Sequence, residues 1–243
     1  MLLAIDVGNT QIKLAVFEQN TIINHKIVSL TDWKTEVKII LSFHVEIDAI
    51  VVSSVGNLGE NEFRDLDSKA KIYFITAKSK FPFSNSYATP TTLGVDRMVL
   101  AAGASLLFPN KNRLVIDAGT CITYDYVDSD NVYHGGAISP GIKLRYESLH
   151  NYTAKLPLLS PEHPDAIIGN STFQSIHSGI INGIIFEIDG FISSILDKND
   201  NFIIILTGGD AEFLAKRLKN TIFANPNFLL ESLNQTFQYN HND

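Results

Sequence analysis

Apolar positions along the chain fall into short, nearly continuous runs that alternate with stretches of helical spacing. The first run, Leu3-Ala4-Ile5, ends in Asp6-Val7-Gly8-Asn9-Thr10, and an alternating run, Ile12-Lys13-Leu14-Ala15-Val16-Phe17, follows at once. That pattern predicts strand, tight turn, strand. Asn20 marks a turn before a third strand at 21–28. Residues 30–43 have helical spacing, with Trp33, Val37, Ile40 and Leu41 on one side and Trp33 as a core anchor. Residues 49–55 are apolar almost throughout, as in a strand covered on both faces. Gly56, Asn57 and Gly59 break that run; a short helix at 62–67 and a strand at 71–75 follow. The first part thus reads as three strands, helix, strand, helix, strand, with helices laid on a mixed sheet.

Residues 81–92 lack any period and contain Pro82 and Pro90, which predicts a loop with Tyr87 as its one large amphipathic side chain. Gly94-Val95-Asp96-Arg97 then opens a helix rich in small residues, from Met98 to Leu107. Asp96 is either a cap or dipole partner of that helix, or a carboxylate that takes a proton from a hydroxyl. A cation in the first turn is unfavourable, so Arg97 calls for an anionic ligand or a buried carboxylate.

The opening pattern then returns. Ile116-Asp117-Ala118-Gly119-Thr120 precedes the apolar run Cys121-Ile122-Thr123-Tyr124 and repeats Ile5-Asp6-Val7-Gly8, with Asp117 lying 111 residues after Asp6. Two like units at half-chain spacing suggest a duplicated domain, here 1–112 and 113–243. Each turn is either an ordinary hairpin bend or a concave row of backbone N–H groups suited to a phosphate. Asp6, at a strand end, could hold Mg²⁺ directly or through water.

In the second half, Asp130-Asn131 marks a hairpin turn, and Gly135-Gly136-Ala137-Ile138-Ser139-Pro140-Gly141 makes a shaped loop before a helix from Ile142. A proline-punctuated loop spans 153–164. Ser171 and Gln174 have capping-box spacing for a long helix, 172–196, in which Gly179 and Gly183 would allow close packing of another element. Phe202-Ile203-Ile204-Ile205-Leu206 is a central strand ending in Thr207-Gly208-Gly209-Asp210-Ala211, where bare backbone could meet a flat base. Phe228-Leu229-Leu230 is a last strand or a helix start.

Composition narrows the function. The 243 residues carry a net charge of −7 and are 45% hydrophobic, which argues against a nucleic-acid partner and allows a core in each half. The one cysteine, Cys121, precludes an intrachain disulfide and fits a cytoplasmic setting; it is expected as a small buried thiol. The start shows no charged-then-apolar leader, and the longest uncharged apolar stretch, 99–108, is too short to span a bilayer. The seven histidines show no zinc-ligand spacing, and no P-loop pattern is present.

Six motifs occur in order: Asp-x-Gly-Asn-Thr, Gly-Val-Asp-Arg, Asp-Ala-Gly-Thr, Gly-Gly-x-Ile-x-Pro-Gly, Gly-Asn-Ser-Thr and Thr-Gly-Gly-Asp-Ala. This ordered set, from Asp6 to Ala211, resembles the type III pantothenate kinases of the acetate and sugar kinase/Hsp70/actin superfamily. Cys121 is the one departure, where that family commonly has alanine. The resemblance implies an α/β protein of two duplicated ribonuclease-H-like (actin-like ATPase) domains, mixed sheets flanked by helices, with a nucleotide cleft between them. It implies transfer of the ATP γ-phosphate to the hydroxyl of pantothenate, the first step of coenzyme A biosynthesis.

Residue by residue, the resemblance implies that Asp6, Val7, Gly8, Asn9, Thr10, Gln11, Ile12 and Lys13 wrap the ATP phosphates. Thr120 would touch ATP, and Gly208 and Gly209 would line the adenine site. Asp96 would be the general base. Tyr87, Gly94, Val95, Asp96, Arg97 and Thr172 would hold pantothenate. Asp117 would ligate a monovalent cation, K⁺ or NH₄⁺, beside Mg²⁺ brought with ATP. The family pattern also implies a homodimer whose partner completes the pantothenate pocket, with the long glycine-bearing helix in the interface. Two rival readings on the same scaffold are a non-catalytic nucleotide-binding transcriptional accessory protein and a phosphohydrolase such as an exopolyphosphatase. A regulator has no need of Asp96-Arg97 and Thr172, and no Lys/Arg cluster marks a polyphosphate channel.

Overall fold

The computed structural model describes residues 1–55, 58–64, 66, 69–196, 201–220 and 222–241. The break expected at Gly56 and Asn57 and the helix end expected at Asp67 lie outside the described residues, as does the last part of the tail, Asn242 and Asp243.

In chain order the elements are β1 (Leu2–Val7), β2 (Ile12–Glu18), β3 (Thr21–Val28), α1 (Trp33–Phe43), β4 (Ala49–Ser54), α2 (Glu60–Arg64), β5 (Lys71–Phe74) and the two-residue β6 (Ser84–Asn85). Then come α3 (Val95–Leu107), β7 (Asn112–Ala118), β8 (Cys121–Val127), β9 (Val132–Pro140) and α4 (Ile142–Asn151). The helix α5 runs over Thr172–Leu196. The chain closes with β10 (Phe202–Thr207), α6 (Ala211–Ala215), β11 (Phe223–Ala224) and α7 (Phe228–His241). The expected order of three strands, helix, strand, helix and strand is found in the first part.

Contacts divide the chain into two compact units: Met1–Asn110 with Ser129–His134 and Asn227–Asp243, and Lys111–Asp128 with Gly135–Pro226. The C-terminal segment, grouped with the second half on sequence grounds, folds as helix α7 onto the first unit, where it packs on α3.

In the first unit the sheet runs β3-β2-β1-β4-β5. β1 pairs antiparallel with β2 and parallel with β4, so it is central, and every one of its residues is buried. This accounts for its unbroken apolar run. β3 is the edge and alternates toward solvent. Trp33 is 3% exposed and packs its ring 4.5 Å from that of Phe63, as a core anchor should. The β2–β3 turn is taken by Gln19, at φ 54°, and its neighbour Asn20 is clamped by α7: Gln235 Nε2 and Gln238 Nε2 each donate to Asn20 Oδ1 at 2.9 Å.

The second unit is built on β7, β8, β9, β10 and β11, in the spatial order β11-β10-β7-β8-β9. β7 again lies between an antiparallel partner, β8, and a parallel one, β10. Asn131, at φ 59°, makes the turn expected before β9. The first residues of β9, Val132 and Tyr133, belong to the first unit and pair there with β6. Ser171 Oγ accepts from Gln174 N at 3.2 Å, but the Gln174 side chain turns to Asp165 N, so one half of the expected capping box forms.

Helix α5 is not uniform. It is α-helical over Thr172–His177 and Gly183–Leu196, with a π turn at Ser178–Asn182 between them. By length and composition it could cross a membrane, yet Ile176, Ile180, Ile181, Ile184, Ile188 and Ile192 are buried in the core of the second unit. Its isoleucine side is part of that core. The other face differs from expectation: beta carbons built on Gly179, Gly183 and Gly190 would meet nothing within 4 Å, and Phe186 is 56% exposed. Among the described residues, none comes close enough to those positions to require glycine there.

Candidate active site

In the first unit, the β1–β2 turn carries Asp6 at the end of a buried strand. Cross-strand register places Asp6 opposite Lys13 on one side and Ser53 on the other. Ser53 Oγ donates to Asp6 Oδ1 at 2.9 Å. Burial pushes the Asp6 carboxyl up to about 6; Lys13 and Ser53 pull it down, and the charge of Asp96 adds to the rise. Asp6 and Asp96 therefore lie within electrostatic reach of one another. A carboxyl raised by burial beside a second acidic group is a mark of a functional site. Ser53 was missed from sequence; the one available hint was a polar pair, Ser53-Ser54, at the end of an apolar strand.

Of the turn residues, Val7 and Ile12 are 0% exposed and their side chains belong to the core, so only their backbone can reach a ligand. Gly8 N donates to Gln11 O at 3.1 Å. Asn9, Thr10 and Gln11 are exposed, and Lys13 is half-buried.

Asp96 and Arg97 stand in the first turn of α3, with Gly94 as the N-cap. Asp96 is thus not the cap. Its side chain bends back instead: Oδ1 accepts from Arg97 N at 2.8 Å, and a beta carbon on Gly94 would lie 2.4 Å from that same oxygen. A residue larger than glycine at 94 would displace the carboxylate. Burial raises the Asp96 carboxyl above its ordinary range, against the pull of the Arg97 N–H and charge. Arg97 is 6% exposed, and its guanidinium lies 5.9 Å from the centre of the Tyr87 ring. A desolvated cation–π contact is worth about 2 kcal/mol, which exceeds the roughly 0.3–1 kcal/mol of an unfavourable helix dipole. Tyr87 is itself half-buried and rests on Tyr133. The structure therefore brings together Asp6, Asp96, Arg97, Gly94 and Tyr87, with Val95 half-buried beside them in sequence.

In the second unit the β7–β8 turn repeats the first with one residue fewer. Four residues separate paired Val7 and Ile12, whereas three separate paired Ala118 and Ile122. Gly119 N donates to Cys121 O at 3.0 Å. Cys121 is exposed, contrary to the small buried thiol expected: it is the first residue of β8, one place before the paired Ile122, just as exposed Gln11 stands one place before the paired Ile12. Asp117 is half-buried and Thr120 exposed. The β10–α6 loop closes directly on this turn. Gly208 adopts φ +96°, and a beta carbon there would lie 2.3 Å from Ala118 O and 2.4 Å from Asp117 Oδ1. Asp210 N donates to Ala118 O at 3.0 Å, and burial raises the Asp210 carboxyl. Gly209 is exposed. Asp117, Thr120, Gly208 and Gly209 are thus neighbours on one end of this sheet. Thr172 is exposed and lines a cavity of about 420 Å³ with Leu149, Leu156, Ser175, Ile176 and Gly179.

Among the described residues no cluster of three His, Cys, Asp or Glu side chains could hold a metal. A cation bound here would need backbone, water or phosphate oxygens to complete its shell, which suits Mg²⁺ or a monovalent ion and not a zinc-type site.

Two mixed sheets, each with an acidic glycine turn between its leading strands, define a class: the nucleotide-binding fold of the acetate and sugar kinases, Hsp70 and actin. Solved structures agree. A Campylobacter jejuni protein assigned to the Baf family of transcriptional activators superposes with a TM-score of 0.66 at 19% identity, covering 99% of this chain and 100% of the other. Component A of (R)-2-hydroxyglutaryl-CoA dehydratase from Acidaminococcus fermentans does so with a TM-score of 0.54 at 14% identity, covering 99% and 97%. At such identities the likeness speaks for the fold alone.

Within that class, the family model of the type III pantothenate kinases matches residues 2–194, and the chain belongs to that family. Type III pantothenate kinases from Flavobacterium psychrophilum and Flavobacterium johnsoniae are 60% and 57% identical to it, over 98% of this chain and 99% and 98% of theirs. One from Bacteroides fragilis is 36% identical over 99% of both chains.

Proposed function

We propose that this chain phosphorylates the hydroxyl of pantothenate with ATP, giving 4′-phosphopantothenate and ADP, and that Asp96 is the general base. The observation that carries the reading is the setting of Asp96. It is held by the Arg97 N–H, kept in place by Gly94, raised by burial, and within reach of a second carboxyl, Asp6. A raised carboxyl is a better base for an alcohol, and a positioned base contributes roughly 10²–10⁴-fold.

Phosphoryl transfer is governed by positioning and charge compensation. Asp6 would hold Mg²⁺ that arrives with ATP. The turn Asp6, Val7, Gly8, Asn9, Thr10, Gln11, Ile12 and Lys13 would take the phosphates. Gly8 N–H already serves Gln11 O, so the turn donors offered to the phosphates would be those of Asn9, Thr10 and Gln11, with Lys13 supplying positive charge. Thr120, Gly208 and Gly209 would meet the nucleotide, and bare backbone at Gly208-Gly209 leaves room for a base. Asp117 would hold K⁺ or NH₄⁺, which offsets phosphate charge when bound. Tyr87, Gly94, Val95, Arg97 and Thr172 would hold pantothenate, Arg97 through its charge. The homodimer and cytoplasmic setting are part of the same reading. The open glycine face of α5 with exposed Phe186 supports a helix-to-helix contact between copies.

The test is ADP release by the purified chain with ATP and Mg²⁺. Release that requires pantothenate, and that other small alcohols do not support, is expected. Release without any acceptor would favour the hydrolase reading. Nucleotide binding without turnover would favour the regulator.

A further inference from the structure

The motif Gly135-Gly136-Ala137-Ile138-Ser139-Pro140-Gly141 has no part in the scheme above, yet its end lies against the β7–β8 turn. Gly141 N donates to Thr120 O at 3.0 Å. A beta carbon on Gly141 would fall 2.1 Å from Gly119 O and 2.6 Å from Thr120 O. The backbone at 141 is therefore a wall of the turn, and whatever fixes it fixes Gly119 and Thr120.

What fixes it is a charged fork. Arg145 Nε donates to Pro140 O at 2.8 Å, and Arg145 Nη2 donates to Glu187 Oε2 at 2.6 Å and to Ser139 Oγ at 3.3 Å. Glu187, on α5, also accepts from Ser139 Oγ at 2.5 Å and from Tyr124 Oη at 2.8 Å. One guanidinium thus grips both residues that precede Gly141, and one carboxylate holds that guanidinium from the opposite helix. Burial works against the Glu187 charge, but the Ser139, Arg145 and Tyr124 bonds outweigh it and keep the carboxyl below its ordinary range. Arg145 and Glu187 are each only about a fifth to a quarter exposed, at 21% and 24%. Such a pair, with further hydrogen bonds on both partners, fixes geometry more than it adds stability.

We infer that Arg145 and Glu187 are positioning residues for the nucleotide: through Ser139, Pro140 and Gly141 they set the Gly119-Thr120 turn that meets ATP. This rests on the reading of Thr120 as a nucleotide contact. It touches no reacting atom, so the expected signature is a change in KM for ATP with KM for pantothenate unaltered.

The experiment measures both KM values, kcat and Tm for R145M, R145K, E187Q, the R145M/E187Q double variant, Y124F and T120V. R145M and E187Q should each raise KM for ATP roughly tenfold or more, since small misplacements of a positioning group carry such costs. The double variant should do no more than the larger single, because both act through one link. R145K keeps the charge but not the fork, and should behave like R145M should the latter fail to fold. Y124F removes one bond to Glu187 and leaves Arg145 on Pro140, so it should lower Tm and spare KM for ATP. KM for ATP unchanged in folded R145M or R145K would overturn the inference, as would a rise matched by KM for pantothenate. T120V separates the two readings. If T120V raises KM for ATP while the Arg145 variants do not, the positioning role alone fails. If none of them does, the nucleotide reading of Thr120 fails with it.

Discussion

Gly94 and Asp96 are locked together: the Asp96 carboxylate folds back until its Oδ1 occupies the space a beta carbon on residue 94 would need, 2.4 Å away. The backbone at Gly94, φ −59° and ψ 139°, is open to any residue. Gly94→Ala should therefore leave Tm nearly unchanged while moving the carboxylate. The expected result is a kcat lower by about 10²-fold, the scale of an ångström-sized misplacement. Steady-state rates beside a thermal melt check it; equal losses of kcat and stability would point to a structural role.

Asp6 gives a pH signature. Its carboxyl sits at about 6 in the folded chain, above the ordinary 3.8, chiefly from burial. The unfolded chain then releases this proton first as pH rises, so the contribution is intact below about 4 and is lost on passing about 6. The difference amounts to about 3 kcal/mol at neutral pH. Asp6→Asn removes the liability. It should be more stable than the parent at pH 7–8, with the gap closing toward pH 4, yet inactive if Asp6 holds Mg²⁺. Denaturant midpoints across that range test it. The parent's kcat/KM should rise with pH on a limb shifted above ordinary carboxylates, because burial raises both Asp6 and Asp96.

Helix α7 belongs to the first unit. Phe228, Leu229, Leu230 and Leu233 are at most 5% exposed. At roughly 1.5–3 kcal/mol for each buried side chain, they supply on the order of 6–12 kcal/mol, comparable with the whole stability of a domain. A chain ending at Pro226 should fail to give a cooperative melt by circular dichroism, although it would retain nearly all of the candidate site. A cooperative melt near the parent's midpoint would contradict this.

The β1–β2 turn and its repeat at Asp117 were legible because a strand's apolar run and an acid–glycine bend are local patterns. Trp33 and the Ser171 cap were legible for the same reason. The failures are non-local. Gly179 and Gly183 look the same in sequence whether another element covers them or not. Cys121 opens β8 beside the turn, and its exposure follows from where the paired stretch begins, at Ile122. Phe228-Leu229-Leu230 fits strand or helix, and only α3 decides. Arg145 and Glu187, 42 residues apart on two helices, read as ordinary surface charges until the fold brings them to one oxygen network. Ser53 was hidden because only parallel pairing places it beside Asp6.

Asp117 is proposed as the monovalent-cation ligand. Turnover should be higher in K⁺ or NH₄⁺ than in Na⁺-only buffer at equal ionic strength, and Asp117→Asn should abolish that difference without changing Tm. Equal rates in the two buffers for the parent would count against Asp117 in this role.

The most direct measurement is made on Asp96→Asn, which keeps size and hydrogen-bonding shape but cannot accept the proton. Isothermal titration should show ATP binding close to that of the parent, while pantothenate-dependent ADP release falls by at least about 10²-fold. Parental turnover in this variant would contradict the assignment of Asp96 as the base.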